Sequence, residues 1–202
     1  MNQQYLNACF QQHGGRFRFA RWGQTIVPEL LGAGPEMKSA FDAAYETITG
    51  ITDHAFSQPT KQNHANSIFV FIDGWDALLN MPFGVDHIFD LVKLTEHMKA
   101  TKATQFRRFI YDDDGRILYA LGVYDMRSRL KDYAPSRIGM AQVLLTHLNF
   151  SLGVLQKPVV EQTDDVWAPS QDMRKLLKAA YDRNLPPASR DPDMTKQLIA
   201  LL

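Results

Sequence analysis

The chain has 202 residues, 45% of them hydrophobic, which is enough for one domain with a sizeable core and argues against extended disorder. Twenty-two basic residues balance 22 acidic ones, so the net charge is zero and no electrostatic footprint for a phosphate backbone shows at this level. The single cysteine, Cys9, excludes an intramolecular disulfide, and no window approaches the length of a membrane span.

The opening "MNQQYLNACFQQHGG" has no basic start and no apolar run, so as it stands it is not a signal peptide. The sequence reads as cytoplasmic, or as periplasmic if an export signal has been removed. Residues 1–15 are expected to be loosely ordered. "RFRFARWGQTIVPELLG" then alternates, with Phe17, Phe19 and Trp22 on one side, Ile26 and Val27 continuing the strand, and a turn at the Gly and Pro. "GPEMKSAFDAAYETITG" predicts a helix. Pro35 suits its first position, Met37, Phe41, Ala44, Tyr45 and Ile48 share a face, and Gly50 is a natural stop.

Residues 51–66 are polar and read as loop. "NSIFVFID" is the clearest buried strand. "HIFDLVKLTEHMKAT" predicts an amphipathic helix. In "FRRFIYDDDGRILYALGVYD" two strand-like runs flank Asp113-Asp114-Gly115, which predicts a hairpin because Asp-Gly tolerates the positive φ angles of a tight turn. The same "DDDG" lacks the downstream ligands of a calcium loop. "PSRIGMAQVLLTHLNFSLG" is apolar nearly all round, as a central buried helix is, and should run over about 136–152 and stop at Gly153. "QKPVVEQTDDVWAPS" reads as a connecting segment. Two further helices, in "SQDMRKLLKAAYD" and "DMTKQLIALL", make 168–202 a helical tail. The order predicts a single α+β domain over 1–202, with a mixed or largely antiparallel sheet covered by helices.

At the central helix the chain resembles two things. The length, apolar spacing and closing Leu-Gly of "LLTHLNFSLG" resemble the zinc helix of zincin peptidases, and a hairpin precedes it as in those enzymes. More closely, the order of motifs resembles an uncharacterised domain family of Proteobacteria, often found on exported lipoprotein-like chains. That family carries a helix of the form E-E-x-x-Q-x-L-G and a tail D-x-x-L-L-x-x-L-Y-D-x-x-L-x-P. Here "DMRKLLKAAYDRNLPP" lays Asp172, Leu176, Leu177, Tyr181, Asp182, Leu185 and Pro187 on the tail, with allowance of about a residue. "FARWGQTIVPELLG", Thr49-Gly50 and "ANSIFVFI" fit its front half. The resemblance covers most of 17–202 and implies a zincin-like arrangement around the central helix.

The departures decide the expected chemistry. Thr146 and His147 stand where the family has two carboxylates and zincins have His-Glu, and Phe150 stands at the second ligand position. H-E-x-x-H works because residues four apart share a helical face and can bind one ion. Phe150 ligates nothing, so no metal site and no cofactor is expected. The reading is a non-catalytic binding or assembly protein with a protein or small-molecule partner. The alternative is a peptidase-like hydrolase with an altered site around His147, the one catalytic candidate, although a lone His on an apolar helix is more often a satisfied core residue. His87 with Asp86 and Asp90, and His97 with Glu96, have no spacing that forces them together with it. Cys9 lies beside no basic cluster, and no Gly-x-Ser-x-Gly elbow, Gly-x-Gly-x-x-Gly or P-loop is present.

Trp22 and Trp167, beside Arg, Gly or Pro, would mark a ligand or partner surface if exposed and core if buried. With Arg127 they are the binding candidates. A nucleic-acid role would rest only on Arg107-Arg108 and Arg127/Arg129. These short runs read as solvated charges, so no nucleic-acid partner is expected.

Overall fold

The computed structural model describes residues 1–12, 14–80, 90–151 and 158–202. The fold is α+β. Its main sheet has four strands: β2 (Pro28–Leu31), β3 (Ser67–Ile72), β4 (Gln105–Tyr111) and β5 (Ile117–Asp125), in the order β2-β3-β5-β4. β2, β3 and β5 are parallel, and β4 runs antiparallel to β5 along one edge, so the sheet is mixed. The expected hairpin is present, pairing Gln105 with Tyr124 and Tyr111 with Ile117. Asp112 stabilises its turn by accepting from the Arg116 N–H at 2.8 Å, and Gly115 takes a φ of +81°.

Strand alternation sorts the sheet into two faces. On one, Phe69, Phe71, Ala120 and Tyr124 join the large core beneath α2 (Pro35–Thr52) and α4 (Pro135–His147). On the other, Val70, Ile72, Leu121 and Val123 pack with Trp75 and Leu78 of a 3-10 turn and with Met98 of α3 (Leu91–Ala100). α2 and α4 approach closely at Gly139, where a Cβ would meet the Ala40 carbonyl at 3.0 Å. The apolar all-round character of α4 follows from that position: Ile138, Val143, Leu144 and Leu145 are all buried.

The structure corrects several expectations. Within the segment expected to be loose, residues 2–10 are ordered: α1 (Gln3–Phe10) is capped by Asn2 on the Tyr5 N–H and buries Leu6, Cys9 and Phe10 completely. Their i, i+3, i+4 spacing lies hidden among Gln and Asn. The strand expected over 17–27 is broken into β1 (Phe19–Ala20) and isolated bridges, and β2 begins at Pro28, an end position where a missing N–H is tolerated. α2 runs past Gly50 and stops at Asp53, which takes the left-handed conformation itself with φ 54°. The segment read as a connection forms a small hairpin, β6 (Val160–Thr163) and β7 (Val166–Pro169), turned by Asp164 and Asp165 at φ 48° and 64°. The helix starting near His87 is described only from Leu91, with Asp90 as its cap, and His87 and Asp86 lie outside the described residues.

The largest correction is at α4, which ends at His147 and not at 152. Leu148 is extended (φ −125°, ψ 147°) and pairs with Arg21. Donors from distant segments take the last carbonyls: the Trp22 indole donates to Thr146 O at 2.9 Å, and the Tyr181 hydroxyl to His147 O at 2.8 Å. With its end satisfied this way the helix needs no glycine cap. Leu152 and Gly153, the closing pair of the motif, lie outside the described residues.

The tail closes over the same region. Arg21 donates to the carbonyls of Ala180, Asp182 and Leu185 at 2.8–3.0 Å, capping the C-terminal end of α5 (Gln171–Ala180). β8 (Ala188–Ser189) pairs with β1, and α6 (Met194–Leu201) packs on α1, where Thr195 bonds Asn7. Phe150, 2% exposed, stacks on Phe10 at 5.2 Å between ring centroids. Phe150→Ala is expected to cost roughly 3–5 kcal/mol of stability, through packing alone. Urea unfolding measures it, and a loss below 1 kcal/mol would contradict this packing.

Candidate functional site

His147, the catalytic candidate, is completely buried. Its Nδ1 donates to the Val143 carbonyl at 3.3 Å, and its ring lies among Tyr45, Tyr181 and His54, with centroids 6.0, 6.0 and 6.5 Å away. Burial, and secondarily the neighbouring His54, lower its pKa to about 3, so it is neutral at pH 7. Nε2 is buried with no hydrogen-bond partner among the described residues. The solvent cleft nearby is lined by Trp22, His54 and Tyr181 and does not reach His147. A base this weak, sealed behind that wall, is poorly placed for general-base work near neutral pH. Cys9 is equally sealed, its thiol pushed up to about 11 by burial.

The other candidates lie apart. Trp22 is 3% exposed and serves the end of α4. Trp167 is half-buried on β7, its ring 4.9 Å from the guanidinium of Arg137, which also lies over Tyr133. Arg127 lies at the C-terminal end of the sheet, 3.7 Å from Asp73, its guanidinium occupying the space a Cβ would take at Gly74. No fold feature brings these residues to one site. Among the described residues no group of three His, Cys, Asp or Glu gathers as metal ligands.

The structure instead assembles a cleft the sequence reading missed. It has a volume of about 510 Å³ and is lined by five arginines: Arg16, Arg18, Arg107, Arg108 and Arg190. Phe17, Phe109, Tyr111 and Gln12 complete it, and no carboxylate lines it among the described residues. The arginines come from three distant parts of the chain. Gly14 and Gly15, at φ 82° and 78°, turn the chain back after α1 so that Phe17 bridges Gln11, placing Arg16 and Arg18 at one wall. Alternation along edge strand β4 puts Arg107, Phe109 and Tyr111 on one face, with Arg108 at the rim. Arg190 follows β8, held there by the β1–β8 pairing.

Aromatic rings and backbone carbonyls fix the guanidiniums. Arg18 lies 3.9 Å over Tyr111, and Arg107 5.6 Å from the Phe109 centroid. Arg107 donates from Nη2 to the Phe150 carbonyl at 2.7 Å, while its buried Nη1 has no partner among the described residues. Burial lowers its pKa from the usual arginine value. Among the described residues, Arg16, Arg18, Arg107 and Arg190 form no ion pair.

The floor is built by the stretch that departs from the metal motif. Asn149 accepts from the Ala20 N–H at 2.8 Å and donates to Arg18 O at 2.8 Å, taking the place of a paired strand beside β1. It also donates to the Tyr111 hydroxyl at 3.3 Å, and its own carbonyl accepts from Gln12 Nε2 at 3.0 Å. One carboxamide thereby ties together both arginine-bearing walls. The available signal was the Arg/Phe alternation, "RFRF" and "FRRF", in two separate runs.

Comparison of the chain with protein-family models, with curated proteins and with solved structures finds no match.

Asn149→Ala is expected to cost about 2–4 kcal/mol by leaving buried backbone groups of Arg18 and Ala20 unpaired. Denaturant titration checks it, and an unchanged midpoint would remove the carboxamide from this role. A second expectation concerns acid. His147 has a folded pKa below its unfolded value of about 6.5, so the unfolded state binds the proton more tightly. Its stability contribution is full above pH 6.5 and is lost as pH falls towards 3. Between pH 7 and pH 5 this amounts to roughly 2 kcal/mol. His54, whose pKa is also lowered by burial, adds in the same direction. His147→Leu should flatten the pH dependence of the urea midpoint over this range, and an equally steep dependence in the variant would contradict the assignment.

Proposed function

We propose that this is a non-catalytic binding protein and that its binding site is the arginine cleft, which takes an anionic ligand. The observation that carries the reading is charge without compensation: a chain of zero net charge places Arg16, Arg18, Arg107 and Arg190 on one cleft with no ion pair and no lining carboxylate among the described residues. The guanidiniums of Arg18 and Arg107, held on aromatic rings, present fixed donor forks, the geometry suited to phosphate and carboxylate oxygens. Binding rather than catalysis is supported by the cleft's chemistry. Among the described residues it offers donors and positive charge, but no carboxylate, histidine or cysteine to serve as base or nucleophile.

The scaffold is proposed to be zincin-like with its metal chemistry dropped. A hairpin followed by a buried helix supports that resemblance, and the exit of the chain from α4 at His147 places Phe150 off the helix. The altered-hydrolase reading draws support only from the unpaired Nε2 of His147, which is sealed from solvent. No helix among the described residues is long and apolar enough to cross a membrane.

Inorganic phosphate at tenfold its dissociation constant stabilises a binding protein by about 1.4 kcal/mol, which for a chain this size raises Tm by roughly 3–6 °C. That rise is expected in low-salt buffer and should vanish in the Arg18→Gln, Arg190→Gln double variant. The same preparation should contain no stoichiometric zinc. One zinc per chain that His147→Ala removes, or no response to any anion, would overturn the proposal.

A further inference from the structure

The geometry points to a ligand with two linked phosphoryl groups, a pyrophosphate moiety, either free or as the end of a nucleoside diphosphate. This rests on the arginine cleft being the binding site and goes further by fixing the ligand's class.

Charge matching is the first argument. Each phosphoryl group carries roughly 1.5–2 negative charges at neutral pH. Arg16, Arg18, Arg107 and Arg190 line one cleft, form no ion pair among the described residues, and share that cleft with no carboxylate among its described lining. Two phosphoryl groups match four guanidiniums, whereas a single phosphate leaves about half of that charge facing itself and a lone carboxylate leaves most of it. Depth is the second argument. Arg107 lies at the floor, packed on Phe109 and anchored to Phe150 O, and Arg18 lies across Tyr111, while Arg16 and Arg190 are brought in by the turn after α1 and by β8. An anion satisfied by the inner pair leaves the outer pair for a second. A cleft of about 510 Å³ is within the range of small-ligand sites and is larger than a single tetrahedral oxyanion needs.

The third argument excludes an extended polyanion. A nucleic-acid track requires positive charge continued along the surface. Here the adjoining hollow, which shares Arg18 and Arg190, is lined by Asp113 and Asp114 of the hairpin turn. The positive field therefore stops beside the cleft, and a phosphate backbone leaving it in that direction would meet two carboxylates. The rings also argue for the phosphate end of the ligand in the cleft, because Tyr111 already carries Arg18 and is not free to stack a base.

Isothermal titration of the full chain at low and at physiological salt tests this, with phosphate, pyrophosphate, ADP, citrate and a single-stranded oligonucleotide as titrants. Pyrophosphate is expected to bind at least tenfold tighter than phosphate and tighter than citrate. Arg18→Gln and Arg190→Gln, at positions that do not fill the core, should each weaken it tenfold or more, and Arg127→Gln, on a distant face, should not. ADP tighter than pyrophosphate identifies the nucleotide as the source, and the reverse order identifies the free ion. Equal affinity for phosphate and pyrophosphate, or preference for citrate, would overturn the two-phosphoryl inference while leaving the anion-binding reading intact. An oligonucleotide binding tightest, with a steep salt dependence, would overturn it in favour of nucleic acid. If no anion binds, both readings fall.

Discussion

Everything around the cleft depends on the point where the chain leaves α4. At His147 the backbone turns from helix to extended, and the next three residues cross to β1. That exit would strand carbonyls in a dry core, and buried backbone groups without partners are costly. Trp22 and Tyr181 take the carbonyls of Thr146 and His147, and Asn149 then pairs with the backbone of Arg18 and Ala20. Two carbonyls from this crossing, of Asn149 and Phe150, accept from Gln12 and Arg107. The stretch "THLNF", poor in ligating residues, is rich in the groups needed to hold separate segments together.

The same crossing explains how four arginines can face one another without carboxylates. Mutual repulsion works against such a cluster; the two inner guanidiniums are held by something rigid and uncharged, a ring under Arg18 and a ring and a carbonyl at Arg107, while Arg16 and Arg190 are placed by their backbone. Elsewhere the chain behaves differently. Arg116 meets Asp112 and Asp114, and Arg127 meets Asp73. The contrast within one molecule is what makes the cleft distinctive, since a neutral chain has enough carboxylates to pair its arginines and uses them at other places. Held side chains also lose little freedom on binding, which favours affinity.

Elements specified by their own residues were legible in the sequence. β3 announces itself as a short apolar run, α2 by its stripe and Pro35, and the β4–β5 hairpin by Asp-Gly. Elements specified by distant partners were not. Nothing local to residues 136–153 says that the helix stops at His147, because the donors that end it are Trp22 and Tyr181, more than thirty residues away on either side. α1 hid its buried stripe among amides, and β6–β7 turns on Asp-Asp without the glycine that usually marks such a turn. The cleft is the extreme case. Its lining lies at 12, 16–18, 107–109, 111 and 190, tied by hydrogen bonds to 149–150, and no spacing rule joins them. "FRRF" read as solvated charge, although period-two alternation places Arg107 beside Phe109 on the inner face.

The central claim is that the crossing of residues 148–150 brings two arginine-bearing walls together around an anion. A crystal structure of the chain grown with pyrophosphate addresses it most directly. The account expects Asn149 bonded to the backbone of both Arg18 and Ala20, Arg107 bonded to the Phe150 carbonyl, and phosphoryl oxygens within hydrogen-bond reach of Arg18, Arg107 and Arg190. A helix continuing unbroken through Phe150, or an anion lodged away from these arginines, would contradict it.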